Sequence, residues 1–545
     1  SEAQRVLAAE EASLSGFFMA VVTFYDRWMR RALARPLWLV AFSVVLIAAS
    51  WFCYNALGTG LLPNMDEGAF TFDYVMPPGS SLAETTRVLD GINAILHSIP
   101  EVVSTSRRTG LQLGLAAVTE ANTGDISVML SNHRSRGIDA IMEEARERIS
   151  RAYPQLDIDF TQTLQDMIGD LTNAPQPVVI KLFNPNGALL NHWAPIVADA
   201  IAKVPGVVDI DNGVDSAASG PAIIFHVNPA VAAHAGFTAQ EVATDAQALL
   251  EGAITSTPII ANDRSYTLRV RFPAADRATL PDLRNTVLVS ATGHTATLGA
   301  LATVTLLPSQ TEIQRENLQR RVAVSARLEG IDLGHGIAAV QRAVAGVHLP
   351  SGIRVAYGGT YQTQQQSFGS LVLVLVLAIV LVFLVLLFEF RDFSAPAGIL
   401  ASALLSTSGV FFLLLVTGTE FNIASFMGLI MVVGIVAKNG ILLLDADEQF
   451  RRMGLPPLEA MVQAGRRRLR PIVMTAAAAV VGMLPLAFAW GAGAQMLQPL
   501  AISVIGVIVI SMLLSLLITP AVDYYLRRAT GGHAPAPVAF GPALG

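Results

Sequence analysis

Six runs of about twenty apolar residues constrain this chain more than any other feature. They cover 37–57, 368–388, 396–416, 422–444, 471–490 and 500–521, and five of them contain no Asp, Glu, Lys, Arg or His. A hydrocarbon layer of ~30 Å is crossed by a helix of about 20 such residues. Within that layer every backbone polar group must bond internally, so each run is predicted to be a transmembrane helix. Charged residues make up 14% of the chain, against about 25% in a typical soluble protein. The deficit is concentrated in the six runs.

Basic residues alternate along the chain in a way that sets the topology. Arg27, Arg30, Arg31 and Arg35 precede the first run, and Arg391 lies between the second and third. Arg451, Arg452, Arg466, Arg467, Arg468 and Arg470 lie between the fourth and fifth, and Arg527 and Arg528 follow the sixth. The short connections 417–421 and 491–499 carry no Lys or Arg. Both ends are therefore expected in the cytoplasm, and the long stretch between runs one and two outside it. Before the first run, Phe17, Phe18, Val21, Tyr25, Trp28, Met29 and Leu33 recur at helical spacing with arginines opposite. This reads as an amphipathic helix lying on the cytoplasmic membrane surface. The acidic, polar start at Ser1 is not a signal peptide, and the chain is expected to be one part of a longer protein.

About 310 residues, 58–367, separate the first two runs, and their composition is that of a globular domain. Period-two and period-3.6 patterns alternate there. Strand 69–76, helix 81–99, strands 102–109 and 125–130, helix 138–152 and strand 156–160 follow the β-α-β-β-α-β order of the split ferredoxin-like unit. Ser81 with Glu84 three residues on forms a capping box for the first helix. A similar order restarts at Pro177, interrupted by an excursion at 238–306. Two α/β subdomains with a module inserted in the second are predicted; a single unduplicated α/β domain is the other reading. The loop 110–124 is long for a hairpin, which marks either a functional segment or a surface excursion.

Lys438 is the one charge inside a run. An ionised lysine at a helix centre costs about 2.5 kcal/mol or more and is ordinarily kept for function. Of 36 basic residues only Lys181, Lys203 and Lys438 are lysine. A desolvated lysine can change protonation state where arginine cannot, which suits a proton cycle; snorkelling to the interface is the bland alternative. No Asp or Glu falls within the six runs, so the partner carboxylates of Lys438 are expected outside this chain. Arg468 and Thr475, seven residues apart, share a helix face and are candidate relay groups with Asn439.

Other chemistries find little support. The nine His residues show no paired ligand spacing, and the five Met of the insertion read as packing residues rather than a soft-metal site. The single Cys53 excludes a disulfide framework. No Walker-type motif occurs, so an ion gradient is the expected energy source. No cofactor and no nucleic acid are expected.

The segment Phe421-Asn422-Ile423-Ala424-Ser425-Phe426-Met427-Gly428-Leu429-Ile430, followed by Val433-Gly434-Ile435-Val436-Ala437-Lys438-Asn439-Gly440 and on to Asp445, resembles the tenth transmembrane helix of resistance–nodulation–division (RND) efflux permeases. Arg468-Leu469-Arg470-Pro471-Ile472-Val473-Met474-Thr475 is similar to the start of their eleventh. Leu62-Pro63-Asn64-Met65-Asp66-Glu67-Gly68 is similar to the stretch where their periplasmic porter region begins.

The resemblance implies an α-helical membrane protein of six transmembrane helices with a large periplasmic α/β insertion: two ferredoxin-like subdomains and a docking-type module. The expected parts are a surface helix at 1–36, a first span at 37–57, porter subdomains at 58–175 and 176–367 with the docking insertion at about 238–306, a five-helix bundle at 368–526 and a tail at 527–545. It also implies the second half of a homotrimeric bacterial inner-membrane pump that exchanges protons for cargo. The partners would be a periplasmic adaptor, an outer-membrane channel and an N-terminal half carrying the acidic relay residues.

The relay roles fall on Lys438, Arg468, Thr475 and Asn439. A substrate path falls on Leu111, Leu113, Leu115 and Glu120, where the aromatics of drug pumps are mostly missing. Because heavy-metal members generally lack the lysine, the expected cargo is a hydrophobic or amphiphilic compound. A metal-cation exporter is the alternative, followed by a non-pump relative such as a protein-translocation accessory subunit. An enzyme is not expected.

Overall fold

The computed structural model describes residues 16–63, 65–110, 112–113, 118–119, 121–172, 176–214, 222–273, 277–307, 313–491 and 493–529. Helix α1 (Gly16–Ala34) leads into α2 (Pro36–Ala56). The insertion follows, and then α9 (Thr360–Phe390), α10 (Ser394–Ser406), α11 (Ser408–Thr417), α12 (Ile423–Arg452), α13 (Pro457–Ala487) and α14 (Gln498–Ala529). With α10 and α11 read as one span, six helices among the described residues are long and apolar enough to cross a membrane.

Several helices run well past the apolar runs that predict them. Hydropathy marks only the hydrocarbon layer, while intrahelical hydrogen bonding continues into the interface. α14 is the central post of the bundle, and most of its side chains are buried. Gly409 of α11 and Gly506 of α14 let these helices touch: a Cβ on either would lie 2.2 Å or less from the other's carbonyl oxygen. Small residues at such crossings allow close backbone approach in a membrane.

The stripe on α1 packs on protein. Val22, Tyr25, Met29 and Leu33 are buried, and the Tyr25 hydroxyl donates to the Leu516 carbonyl of α14 at 3.1 Å. Arg30 pairs with Glu459 of α13 at 2.9 Å and Arg466 with Asp26 at 3.2 Å. Phe24 and Trp28 remain exposed on the other flank.

The first unit of the insertion contains β1 (Ala69–Val75), α3 (Leu82–His97), β2 (Val102–Thr109), β3 (Thr123–Leu130), α4 (Ile138–Ala152), β4 (Asp157–Gln162) and α5 (Thr163–Thr172). Its antiparallel sheet has the order β2-β3-β1-β4. Phe70, Phe72 and Tyr74 alternate along β1 and are buried, with Val88, Leu89, Ile92, Ile141 and Ile149 of α3 and α4 in the same core. The other face of β1, carrying Thr71 and Asp73, turns away from the helices, because successive side chains of a strand alternate.

The second unit contains β5 (Val178–Phe183), α6 (Gly187–Ile201), β6 (Val207–Asp211), β9 (Gln319–Leu328), α8 (Leu333–Ala345) and β10 (Arg354–Gly358) around its own core. Between β6 and β9 the chain makes β7 (Ala222–Val227), which pairs with β8 (Ala302–Leu307), and α7 (Ala239–Glu251), whose Val242, Ala246 and Leu249 join a third small core. Strands Ile259–Ala261 and Arg264–Tyr266 of this module form an exposed hairpin.

The insertion is tied to the bundle by polar contacts. The Thr59 amide donates to Asp332 at 2.9 Å, the Asp66 amide to Gln495 at 2.8 Å, and the Gln364 side chain to the Gly60 carbonyl at 3.0 Å. The opposite end of the bundle carries the arginines.

Candidate functional site

Two places concentrate charge that the fold does not fully neutralise. The first is on the outer flank of α12. Capped by Asn422, which accepts from the Ser425 amide at 3.1 Å, this helix buries Val432, Val433, Val436, Ala437 and Gly440, and exposes Met427, Met431, Gly434, Lys438 and Asp445. The spacing of four, three, four and seven residues is one helical stripe. Lys438 therefore faces away from this chain's own bundle. It lies over a groove of about 490 Å³ lined by Leu381, Val385 and Leu386 of α9 and by Gly434, Ala437 and Ile441 of α12. Among the described residues it makes no ion pair.

Arg468 of α13 reaches Asp445 at 3.8 Å. Because α12 and α13 are antiparallel, Lys438 and Thr475, each seven residues from that pair, stand at the same level. Thr475 is exposed and donates to the Ile472 carbonyl at 3.1 Å, while Asn439 is half-buried on the adjoining flank. All four relay candidates thus fall on or beside one outward face.

Leu111, Leu115 and Glu120 lie outside the described residues. Leu113 lies in the two-residue strand Gln112–Leu113, which pairs with Val118–Thr119.

The second place was not read from the sequence. In the first sheet, Asp73 of β1 stands directly opposite Asp125 of β3 and directly opposite Asp159 of β4. Residues opposed across antiparallel strands share a face at Cα separations of roughly 5 Å. Three aspartates therefore form a row on the face of the sheet turned from the helices. Each end is capped by an arginine: Arg108, opposite Asp125 in register, bonds it at 2.8 Å, and Arg327 of β9 bonds Asp159 and Thr161. Asp73, in the middle, makes no ion pair among the described residues.

Burial, with Asp166, Asp159 and Asp125 nearby, pushes the Asp73 carboxyl from 3.8 up to about 7. Asp157 on the same strand as Asp159 is pushed up to about 6 by burial and by Asp211, Asp159 and Asp209. In order the row reads Arg, Asp, Asp, Asp, Arg, a net charge of minus one when all three carboxyls are ionised.

Arg327 also lines a cleft of about 660 Å³ between the two α/β units and the bundle. Glu67, Asp139, Glu329, Asp332 and Glu420 contribute carboxylates to its wall, with Met65 and Met142. Burial and the neighbouring Asp66 raise the Asp139 carboxyl above its usual range. Arg146 bonds Glu329 at 2.9 Å and Asp209 at 3.1 Å across the units, and Arg327 bonds Asp159 in the opposite sense. These reciprocal pairs brace the cleft. Among the described residues no three His, Cys, Asp or Glu side chains close on one point as metal ligands.

A third feature is a pair of buried acids just beyond the apolar runs, which themselves hold no Asp or Glu. α12 and α14 continue as helices to Arg452 and Ala529. Asp447 and Asp523, beyond the apolar runs, are 1% and 0% exposed at the arginine end of the bundle. Asp447 is nine residues, or half a turn, from the Lys438 face, so it does not supply the lysine's partner.

Residues 6–527 match the AcrB/AcrD/AcrF family. The nickel-cobalt-cadmium resistance protein NccA of Alcaligenes xylosoxydans xylosoxydans is 27% identical over 92% of this chain and 48% of its own length. The nickel and cobalt resistance protein CnrA of Cupriavidus metallidurans is 27% identical over 95% of this chain and 49% of its length. The multidrug resistance protein MdtC of Erwinia amylovora is 25% identical over 92% and 48%. A crystal structure of a heavy metal efflux pump superposes with a TM-score of 0.76 at 25% identity, over 94% of this chain and 52% of that one. The chain spans about half the length of the curated relatives it matches.

The expectation of a hydrophobic or amphiphilic cargo does not stand against these likenesses, in which metal-resistance proteins and a heavy metal pump predominate. Its physical weakness was to infer cargo from Lys438. That residue concerns charge within the membrane layer and does not identify the cargo. The Met and His inventory disfavours only soft and imidazole-bound ions and leaves carboxylate sites open.

Proposed function

The chain belongs to the AcrB/AcrD/AcrF family, and from that premise we propose that it is part of an exporter of divalent metal cations driven by proton exchange. The Arg108–Asp125–Asp73–Asp159–Arg327 row carries this reading. A central carboxylate with acids on both sides and no cation of its own attracts a dication, and the arginines at the ends keep the site weak enough to release it. The names of the metal-resistance relatives support nickel, cobalt, cadmium or zinc as the ions.

On this reading the acidic cleft admits the ion, the row passes it on, and the Lys438 face of α12 and α13 works in proton exchange. Lys438 holds the charge, Arg468 fixes Asp445, and Thr475 and Asn439 supply polar contacts at the same level. The chain corresponds to the second half of the pump, and carboxylates from the other half pack on the outward stripe of α12. We read the two α/β units as ferredoxin-like porter subdomains outside the inner membrane, the module at 238–306 as the docking element, and the assembly as a trimer with an adaptor and an outer-membrane channel.

The test uses the complete transporter. With Asp73 and Asp125 both changed to Asn, cobalt, nickel, zinc and cadmium uptake into inverted vesicles is expected to fall about tenfold or more at equal expression. Undiminished uptake of all four ions would remove the row from the mechanism.

A further inference from the structure

The bundle interior holds a second acidic pair that the reading above does not use. Asp447 of α12 and Asp523 of α14 are buried where these two helices pack. Each gives one oxygen to an arginine a turn further on: Arg451 Nε donates to Asp447 Oδ2 at 2.6 Å, and Arg527 Nε to Asp523 Oδ1 at 2.9 Å. The other oxygens, Asp447 Oδ1 and Asp523 Oδ2, are buried with no hydrogen-bond partner among the described residues. A further carboxylate, that of Asp392 before α10, lies 3.5 Å from Arg527. Three carboxylates thus meet two arginines. Orphaned buried oxygens are rare in folded proteins and point to bound water or to a proton held between them.

A column of hydroxyls leads away from this pair toward mid-bundle. Thr519, Ser515 and Ser511 follow Asp523 back along α14 at four-residue intervals, and Ser402 and Ser406 of α10 stand against them, all 0% exposed. The Thr519 hydroxyl donates to Ser402 Oγ at 2.8 Å, and Ser406 donates to the Ser402 carbonyl at 2.6 Å. Ser515 Oγ is a further buried hydroxyl without a partner. Serine in a membrane helix commonly serves close packing and bonds its own backbone, as Ser511 does to the Ile508 carbonyl. Packing does not account for unpartnered oxygens on Asp447, Asp523 and Ser515 along one track.

We propose that Asp447 and Asp523 form a proton-binding pair, bridged by ordered water, and that the Thr519–Ser402–Ser515 column passes the proton between this pair and the middle of the bundle. The proton adds to one bare oxygen, and the resulting acid donates to the other carboxylate. On release it returns to water, and no other bond is made or broken. The site is separate from the Lys438 face, from which Asp447 is turned by half the helix. Its role in transport rests on the proton-exchange reading, whereas its existence does not.

Infrared difference spectra of the purified complete transporter test the pair without any cargo. A protonated-carboxyl band is expected to rise as pH falls from about 9 to about 5, to disappear in Asp523→Asn or Asp447→Asn, and to shift in Asp523→Glu. The glutamate variant keeps the carboxyl, so it carries the test if the asparagine variants assemble poorly. Absence of any band assignable to either residue overturns the pair, whatever the cargo proves to be. In proteoliposomes, Ser515→Ala with Thr519→Val preserves packing and removes two hydroxyls. Cation-driven proton flux is expected to fall about tenfold with the KM for cobalt unchanged, and an unaltered flux overturns the column.

Discussion

Asp73 in the acidic row of the first α/β unit and Lys438 on the outward face of α12 each make no ion pair among the described residues, and they are held in opposite ways. Asp73 is enclosed between like charges, on a sheet whose reverse side is a packed core, and its carboxyl rises to about 7 in response. Lys438 is turned outward over an apolar groove and is exposed. On the proposed function, the difference separates two kinds of partner. A partner that must come and go is met by a site with a weakened, titrating acid. A partner that belongs to the assembled protein is met by a surface stripe that packing can cover.

The largest effect that sharpens this contrast is expected at Lys438. Lys438→Ala in the complete transporter is expected to lower proton-coupled cation export about a hundredfold while leaving the insertion's thermal unfolding unchanged. Loss of expression together with export would show a packing role instead. Next is Arg327→Ala, which leaves Asp159 uncompensated beside Asp73. Arg327 is 7% exposed, and removing one partner of such a pair costs roughly 3 kcal/mol, measurable by denaturant unfolding.

The pH response of Asp73 follows in size. The unfolded chain releases this proton near 3.8 and the folded chain near 7, so the folded state binds more protons between those values. The full rise would be worth about 4 kcal/mol; reduced for solvent screening at a partly exposed carboxyl, stability is expected to fall by roughly 2 kcal/mol as pH rises through that window, and Asp73→Asn should flatten the slope. Cation binding should run the other way, weakening as pH drops below about 7 because the proton competes for the same oxygen. Identical pH profiles for wild type and Asp73→Asn would break the comparison. The smallest effect is expected for Arg468→Gln, whose partner Asp445 is 53% exposed at 3.8 Å. Its unfolding should change by less than about 1 kcal/mol, so any loss of transport in that variant is functional rather than structural.

What could be read in advance depended on whether the information was local. The six spans were legible because hydropathy accumulates along one segment, and Lys438 was legible because one charge stood alone in such a segment. Its outward direction needed the packing of α9 and α14 against the other sides of α12. The acidic row was invisible: Asp73, Asp125 and Asp159 lie on three strands, and only the register that sets 73 against 125 and 159 makes them neighbours. A one-residue slip would have turned Asp73 into the core. Asp447 and Asp523 were missed for the converse reason. The apolar runs end before them, and burial there comes from helix packing that continues past the apolar residues. The cargo expectation failed because it was drawn from the locally legible residue instead of the row.

Cation export by the complete transporter is tested most directly by cargo uptake. Inverted vesicles bearing the complete transporter, energised by an imposed proton gradient, would be offered cobalt, nickel, zinc or cadmium and, separately, a hydrophobic cationic dye. Gradient-driven accumulation of at least one metal ion, with no accumulation of the dye, is expected. Dye accumulation without uptake of any of the four ions would contradict it.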